Sequence, residues 1–238
     1  MASTPAEPLP RAGFWARYAA WSLDAACLLP LVALLSASRV AYAAAEACAA
    51  FDRLMQDIPP LLGDALAGMQ SPLGLARQLL ADPALAAASA RLESALGSIV
   101  ATPVLMYALL ALLWSVGFER SRWQATPGKR ALGLVVADAQ GRRLKAGHAL
   151  LRFLGAGLSW LTLNLGHAMA ALPPRRLALH DLLSDTRVLR RLPSDRLPAW
   201  AKAWLLAQLL AMVVAIAWLF LWLQAAMQAA LQQALGFY

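Results

Sequence analysis

Arg17 and Asp24 stand inside the first strongly apolar stretch of the chain, FWARYAAWSLDAACLLPLVALLS (Phe14–Ser36). Seven residues make two helical turns, so on a helix both side chains share one face, with Cα atoms ~10 Å apart along the axis. A lone charge deep in a bilayer costs ~3 kcal/mol on insertion scales, so such a pair faces protein or a wet cavity rather than lipid. Arg17 lies about one turn inside the apolar stretch, where its guanidinium can reach lipid phosphate. Asp24 has ten residues of apolar helix ahead of it, which places it ~15 Å in. Two chemistries fit it. As a structural group it would cap or pair, with Arg17 or with backbone exposed in a later segment. As a working group, a desolvated carboxylate beside a cation can exchange a proton for a hard cation such as Na⁺.

The elements that must position this pair are set by composition. The chain has 238 residues, of which 61% are hydrophobic and only 14% charged, against about 25% charged in soluble domains. With nine tryptophans and a mean hydropathy of +0.57, it reads as an all-α integral membrane protein. The net charge of +8 excludes little alone, but no helix joins a basic face to a polar, groove-reading surface, so nucleic acid is not expected as a partner. In so apolar a chain, basic loops face anionic lipid and set topology. Residues 1–13 are Pro-rich and lack a basic region before a cleavable apolar core, so they read as a cytoplasmic tail, with the first span as its own insertion signal.

Three segments read as full spans: 14–36, 98–118 and 200–223, the last carrying aromatics and Lys202 at one edge and Trp218, Phe220 and Trp222 at the other. Pro30 is expected to kink the first span or mark where it re-packs. Between the first two spans, 37–97 reads as a periplasmic insertion. Its helical composition continues at first, then Pro59-Pro60, Gly63, Gly68, Pro72, Gly74 and Pro83 punctuate short pieces, two of them amphipathic helices. Cys27 and Cys48 lie roughly 30 Å apart along a continuous helix, too far to bridge, and read as small apolar fillers. The tail 224–238 is uncharged.

The segment 148–172 is ambiguous by length alone, and charge bears on it. Residues 119–147 hold seven Lys/Arg and residues 173–199 hold six, whereas 37–97 holds four against six Asp/Glu. The positive-inside rule puts both basic stretches in the cytoplasm, so the apolar run between them reads as a re-entrant or interfacial helical hairpin turning near Leu163–Gly166. Arg152, Gly155, Gly157, Asn164, Gly166 and His167 interrupt it, and broken backbone at membrane depth needs protein or a wet cavity around it. An ordinary third span with one exceptional basic loop remains the alternative. Short strand candidates at Leu132–Asp138 and Asp185–Arg191 favour the hairpin, because pairing them would hold both its ends in one compartment.

Three blocks, AGFWARYAAWSLDA (Ala12–Ala25), TPGKRALGLVVADAQGRRL (Thr126–Leu144) and PPRRLALHDLLSDTRVLRR (Pro173–Arg191), resemble the RDD family of bacterial membrane proteins. The family takes its name from an arginine and an aspartate in the first membrane helix and a later aspartate. Those positions fall on Arg17, Asp24 and, through the His-Asp-Leu-Leu block, Asp181. The chain departs from the pattern in its long insertion and its added last span. Some family members are thought to be cation/proton antiporters, and the resemblance implies the same class of activity.

Candidate partners for Asp181 are Arg17, Lys129 and Arg130; a pair with Arg17 would clamp the first helix to the cytoplasmic subdomain. Asn164 and His167, at the proposed turn, are candidates for lining a polar cavity that faces Asp24, with His180 near it. Thr126 and Gly128 read as loop and turn residues, because TPGKR lacks phosphate-loop spacing. No nucleophile–base pair, metal-ligand spacing or cofactor motif occurs, so enzyme activity, metal and cofactor are not expected. Two functions follow. The first is a small secondary transporter of the bacterial inner membrane, with a cytoplasmic N-terminus. It would exchange monovalent cations for protons at Asp24, Arg17 and Asp181, and work as a homo-oligomer. The second is an accessory or scaffold protein whose buried charges fix helix packing and whose insertion docks a membrane or periplasmic partner.

Overall fold

The computed structural model describes residues 9–69, 71–162, 164–172, 176–191 and 196–234. Helix α1 runs from Phe14 to Ala67, α2 from Pro72 to Ala81, α3 from Pro83 to Glu119 and α8 from Ala199 to Ala234. Three of these, α1, α3 and α8, are long and apolar enough to cross a membrane. Between α3 and α8 lie α4 (Pro127–Ala131), β1 (Leu134–Asp138), α5 (Ala146–Leu161), α6 (Leu165–Ala168), a 3₁₀ turn (Met169–Ala171), α7 (Leu179–Leu183) and β2 (Thr186–Arg190). The described residues form two compact units, 25–115 and the pair of segments up to 24 and from 116 onward.

The insertion differs from its sequence reading. The first amphipathic piece is the short helix α2 as expected, but α1 passes through Pro30, Pro59 and Pro60 without ending, and the second amphipathic piece is continuous with the second span in a helix of 37 residues. The reason lies in the residues before the prolines. Ser71 precedes Pro72 and its hydroxyl accepts the Gly74 N–H at 3.1 Å. Asp82 precedes Pro83 and its carboxylate accepts the N–H groups of Ala84 and Leu85 at 2.8 and 3.0 Å. An oxygen-bearing cap followed by proline at the first helical position starts a helix. Cys27 and Cys48 are free and exposed on α1, so they are not fillers of a packed interior.

The segment 148–172 is a hairpin. Helix α5 has 16 residues, ~24 Å of helix against the ~30 Å that a bilayer core requires. It ends in a turn at Asn164, whose φ of 64° is a left-handed conformation that asparagine tolerates. Strands β1 and β2 pair antiparallel, with Leu134 opposite Arg190 and Asp138 opposite Thr186. The chain therefore leaves the sheet and re-enters it at one end. The residues before α1 join this sheet. Arg11 bridges Leu189, the Ala12 N–H donates to Val188 O at 2.9 Å, and the Arg190 N–H donates to Pro10 O at 2.8 Å.

The core of this unit is small and tight. Ala12, just before α1, and Ala16, Ala19 and Ala20 from its start pack with Leu132, Leu134, Val136 and Val188 around the strands and with Ala201 at the start of α8. Alanine on one face of α1 lets neighbouring backbone come close. On the same helix, Ser22 receives hydrogen bonds from Trp204 Nε1 and Gln208 Nε2 of α8, both at 3.1 Å.

Candidate functional site: a buried ion network

Asp181 is the centre of the site. It sits on the first turn of α7, where its carboxylate reaches back to the Ala178 N–H at 3.0 Å and satisfies a donor the short helix leaves open. One carboxylate oxygen receives Arg17 of α1; the other receives Arg152 of α5. Arg152 also donates to the Thr186 hydroxyl at 2.9 Å and pairs with Glu119 at 3.3 Å, and Glu119 in turn pairs with Lys129. The result is an alternating row, Arg17–Asp181–Arg152–Glu119–Lys129, drawn from α1, α7, α5, α3 and α4. Asp181 is 1% exposed, Glu119 2% and Arg152 5%, so these charges are shielded from water and their attraction is strengthened.

Asp24 sits beside this row. Its carboxylate accepts the Thr126 hydroxyl and, at 2.8 Å, the Gly128 N–H. It thereby caps the start of α4 together with Thr126, which is itself the N-cap. Gly128 fits because nothing larger could: a Cβ there would stand 2.1 Å from Ala20 O and 2.9 Å from Asp24 Cγ. Gly166 holds a similar position in the hairpin, where a Cβ would come within 2.3 Å of Ser159 Oγ.

The electrostatics follow from burial and neighbours. Burial would raise the proton affinity of Asp181, but Arg152 and then Arg17, with the Ala178 N–H, hold its carboxyl well below the usual carboxylate range. Burial and the charge of Arg152 push the His180 imidazole well below its ordinary value, against the pull of Asp181. His180 is neutral at pH 7 and its ring packs on His167, centroids 5.0 Å apart. The Nδ1 atoms of both rings are buried without a hydrogen-bond partner among the described residues.

Of the partners considered for Asp181, Arg17 is engaged. Its Nε and Nη2 are fixed by Ala12 O at 3.1 Å and Arg176 O at 2.9 Å. Lys129 goes to Glu119, and Arg130 lies 4.3 Å over the Trp123 ring as a cation–π contact. Asn164 lies exposed at the turn and acts through its backbone, accepting the His167 and Ala168 N–H groups at 3.0 Å. His167 is drawn to His180. Sequence reasoning missed Arg152 and Glu119 as members of the row and Thr126 and Gly128 as partners of Asp24. Arg152 carried a signal, since an arginine within an apolar run needs an anion, but Asp181 is 29 residues away and no helical spacing links them.

These features define a polytopic helical membrane protein in which buried charges tie the first span to a hairpin and a two-stranded element. The RDD family profile matches residues 11–185, and the chain belongs to the RDD family. It is also similar to a Bacillus subtilis (strain 168) protein named "Uncharacterized protein YxaI", 33% identical over 86 residues, which cover 36% of this chain and 56% of that protein. The chain thus spans about half the length of that curated relative. No solved structure matches.

Proposed function

We propose that this RDD-family protein is an accessory scaffold of the bacterial inner membrane, its N-terminus and basic element cytoplasmic, rather than an enzyme. The observation that carries this reading is that the site's carboxylates are engaged. Asp181 binds two arginines and a backbone N–H, Glu119 binds Arg152 and Lys129, and Asp24 binds Thr126 and Gly128. A row of this kind fixes five segments against one another and holds Asp181 ionised. The length of α1 supports the same reading. Its 54 residues make ~80 Å of helix, and ~20 residues suffice to cross a bilayer, so the remainder offers a stalk for a membrane or periplasmic partner.

Cation/proton exchange is the second reading, and one observation favours it. Asp24 is a carboxylate only 7% exposed in a helix able to span the membrane. In that mechanism Asp24 would alternate between a proton and a monovalent cation, and a homo-oligomer would complete the path. One experiment separates the two. Purified protein in sealed vesicles is given Na⁺ or K⁺ gradients, and proton flux is followed for wild type and Asp24→Asn. The scaffold reading expects no ion-dependent flux in either. Flux in wild type that Asp24→Asn abolishes, with the variant still folded, would overturn it in favour of exchange.

A further inference from the structure

Helix α5 is inside out for a helix in water. Its buried residues include Arg152, Gly155 and Ser159, while Leu150, Leu151, Leu154, Leu158 and Leu161 are exposed. At helical spacing the five leucines fall within ~100° of the circumference, opposite the buried set. Leu165 and Leu172, beyond the turn, are exposed as well. Apart from the buried Arg152, no Asp, Glu, Lys or Arg occurs from Ala149 to Leu172. The outward surface of the hairpin is therefore apolar and carries no formal charge, which marks an interaction surface.

Two contacts set its level against the first span. The first turns of α1 present Trp15, Tyr18 and Trp21 outward, side chains that gather where a span meets lipid headgroups. Trp160, near the end of α5, packs on Trp21 with ring centroids 5.6 Å apart and so joins that belt. The second contact is at Gly166, two residues past the turn at Asn164. A Cβ there would stand 2.9 Å from Leu179 Cβ, in the helix whose Asp181 binds Arg17, and Arg17 lies on the same turns of α1. A Cβ on Gly155 would stand 3.2 Å from His180 Cα, so the middle of α5 rests on that helix too. With five residues, α7 is only ~7 Å long. The middle of α5, its end and the turn thus stay close to the level at which α1 begins.

We propose that α5 is an interfacial anchor, lying along one face of the bilayer with its leucines among the acyl chains of a single leaflet, the one on the Phe14 side of α1. The occupant follows from continuity. The lipid-facing surface of a spanning helix passes from Trp21 to Trp160 and onto the leucine face without a charged side chain between them. Lys145 and His148, exposed where α5 starts, stand at the edge of this face, toward headgroups and water. Arg152 keeps to the protein side. Such an anchor goes beyond the hairpin itself, which could equally dip toward the midplane, and it suits either function of the ion network.

The test reads depth in the full chain. Cys27 and Cys48 are replaced by serine, and a nitroxide is attached to Leu150→Cys, Leu154→Cys, Leu158→Cys or Leu161→Cys, one at a time. Each variant is reconstituted in vesicles of phosphatidylethanolamine and phosphatidylglycerol. Spin-label accessibility to oxygen and to a water-soluble nickel chelate gives the depth, and Leu29→Cys, well inside the apolar run of α1, supplies the deep reference. All four hairpin labels are expected at a similar depth, ~5–10 Å below the headgroups. A helix descending along the bilayer normal would instead separate Leu150 from Leu161 by ~16 Å. A depth that grows steadily along α5 toward that of Leu29 would overturn the anchor and make the hairpin re-entrant. Labels open to the nickel chelate would overturn it by placing the face in water. Labels closed to both reagents would overturn it by assigning the face to a second copy or another protein. The unsubstituted chain gives a second measurement, independent of how any variant folds. Carbene-generating lipids activated near the headgroup are expected to label α5 peptides more than lipids activated at the chain end; the reverse order would overturn the anchor.

Discussion

Replacing Asp181 by asparagine tests the ion network at its centre. The substitution keeps the shape and one acceptor oxygen but removes the charge that Arg17 and Arg152 share. Breaking a buried ion pair by removing one partner costs ~3–5 kcal/mol, because the other charge stays buried without compensation. Asp181 serves two cations, yet the losses do not simply double. The Arg17 side chain retains 12% exposure and can turn toward water, while Arg152 keeps Glu119 at 3.3 Å. A loss of ~3–4 kcal/mol is therefore expected. For a chain of this size each 1 kcal/mol moves the midpoint by roughly 2–4 °C, which gives a drop of roughly 6–16 °C. The nine tryptophans allow thermal unfolding in detergent to be followed by intrinsic fluorescence. Asp138→Asn is the control, since its partner Arg142 is 73% exposed, and it should leave the midpoint unchanged. An Asp181→Asn midpoint indistinguishable from that control would refute the network as a clamp. The combined Arg152→Met and Asp181→Leu variant sharpens the test, for it should lose less than the sum of the two single changes.

Gly128→Ala should destabilise by ~1–3 kcal/mol, because its Cβ would press on Ala20 O. Gly157→Ala, with open space at that position, should be neutral or raise the midpoint by a little; equal effects would refute the close approach of α4 to α1. The pH dependence follows from His180. Its imidazole is held below its ordinary value in the folded chain, so the unfolded chain takes up the proton first, near pH 6.5. The stability His180 supplies is complete above that pH and declines as pH falls below it. Midpoints measured between about pH 7.5 and 5 should drop, and His180→Gln should flatten the drop; an identical slope in the variant would remove His180 as its source. Reporters fused after Arg143 and Arg191 should report one compartment, and a fusion after Tyr238 the other. Opposite sides for the first two would contradict the hairpin.

The spans and the hairpin were legible because they rest on local signals. Apolar length marks α1, α3 and α8. The β-branched run Leu132–Asp138 and the stretch Asp185–Arg191 mark strands, which form over Leu134–Asp138 and Thr186–Arg190 and pair as expected. The division of the two amphipathic pieces at Pro83 was legible too; that Ser71 and Asp82 cap the helices that follow them was not read. The full membership of the ion row was not legible. Arg17 was among the partners considered for Asp181 and is engaged, but whether Lys129 or Arg152 completes the set depends on how α5 folds back on α7. Nor could the part of Asp24 be read from helix periodicity. Its shared face with Arg17 is real geometry, but the carboxylate is met by a hydroxyl and a backbone N–H from a segment about a hundred residues later.

A row of buried charges is a poor way to gain stability, since well-packed apolar side chains of similar volume often do as well or better. Its value lies in what it forbids. The alanine face of α1 and the apolar hairpin could slide against one another in many registers with similar packing. A guanidinium at Arg17 and another at Arg152 can both reach the Asp181 carboxylate only when α1, α5 and α7 converge on one point. Glu119 adds the end of α3 and the start of α4 to the same point. A shift of one helical turn would strand at least one charge without its partner, at a penalty larger than any gain in contact area from the slipped packing. Arg17, Asp24 and Asp181 are thus parts of this chain that define how the first span meets the hairpin and the strands. Any activity of the protein, whether docking a partner or moving an ion, is built on that fixed register.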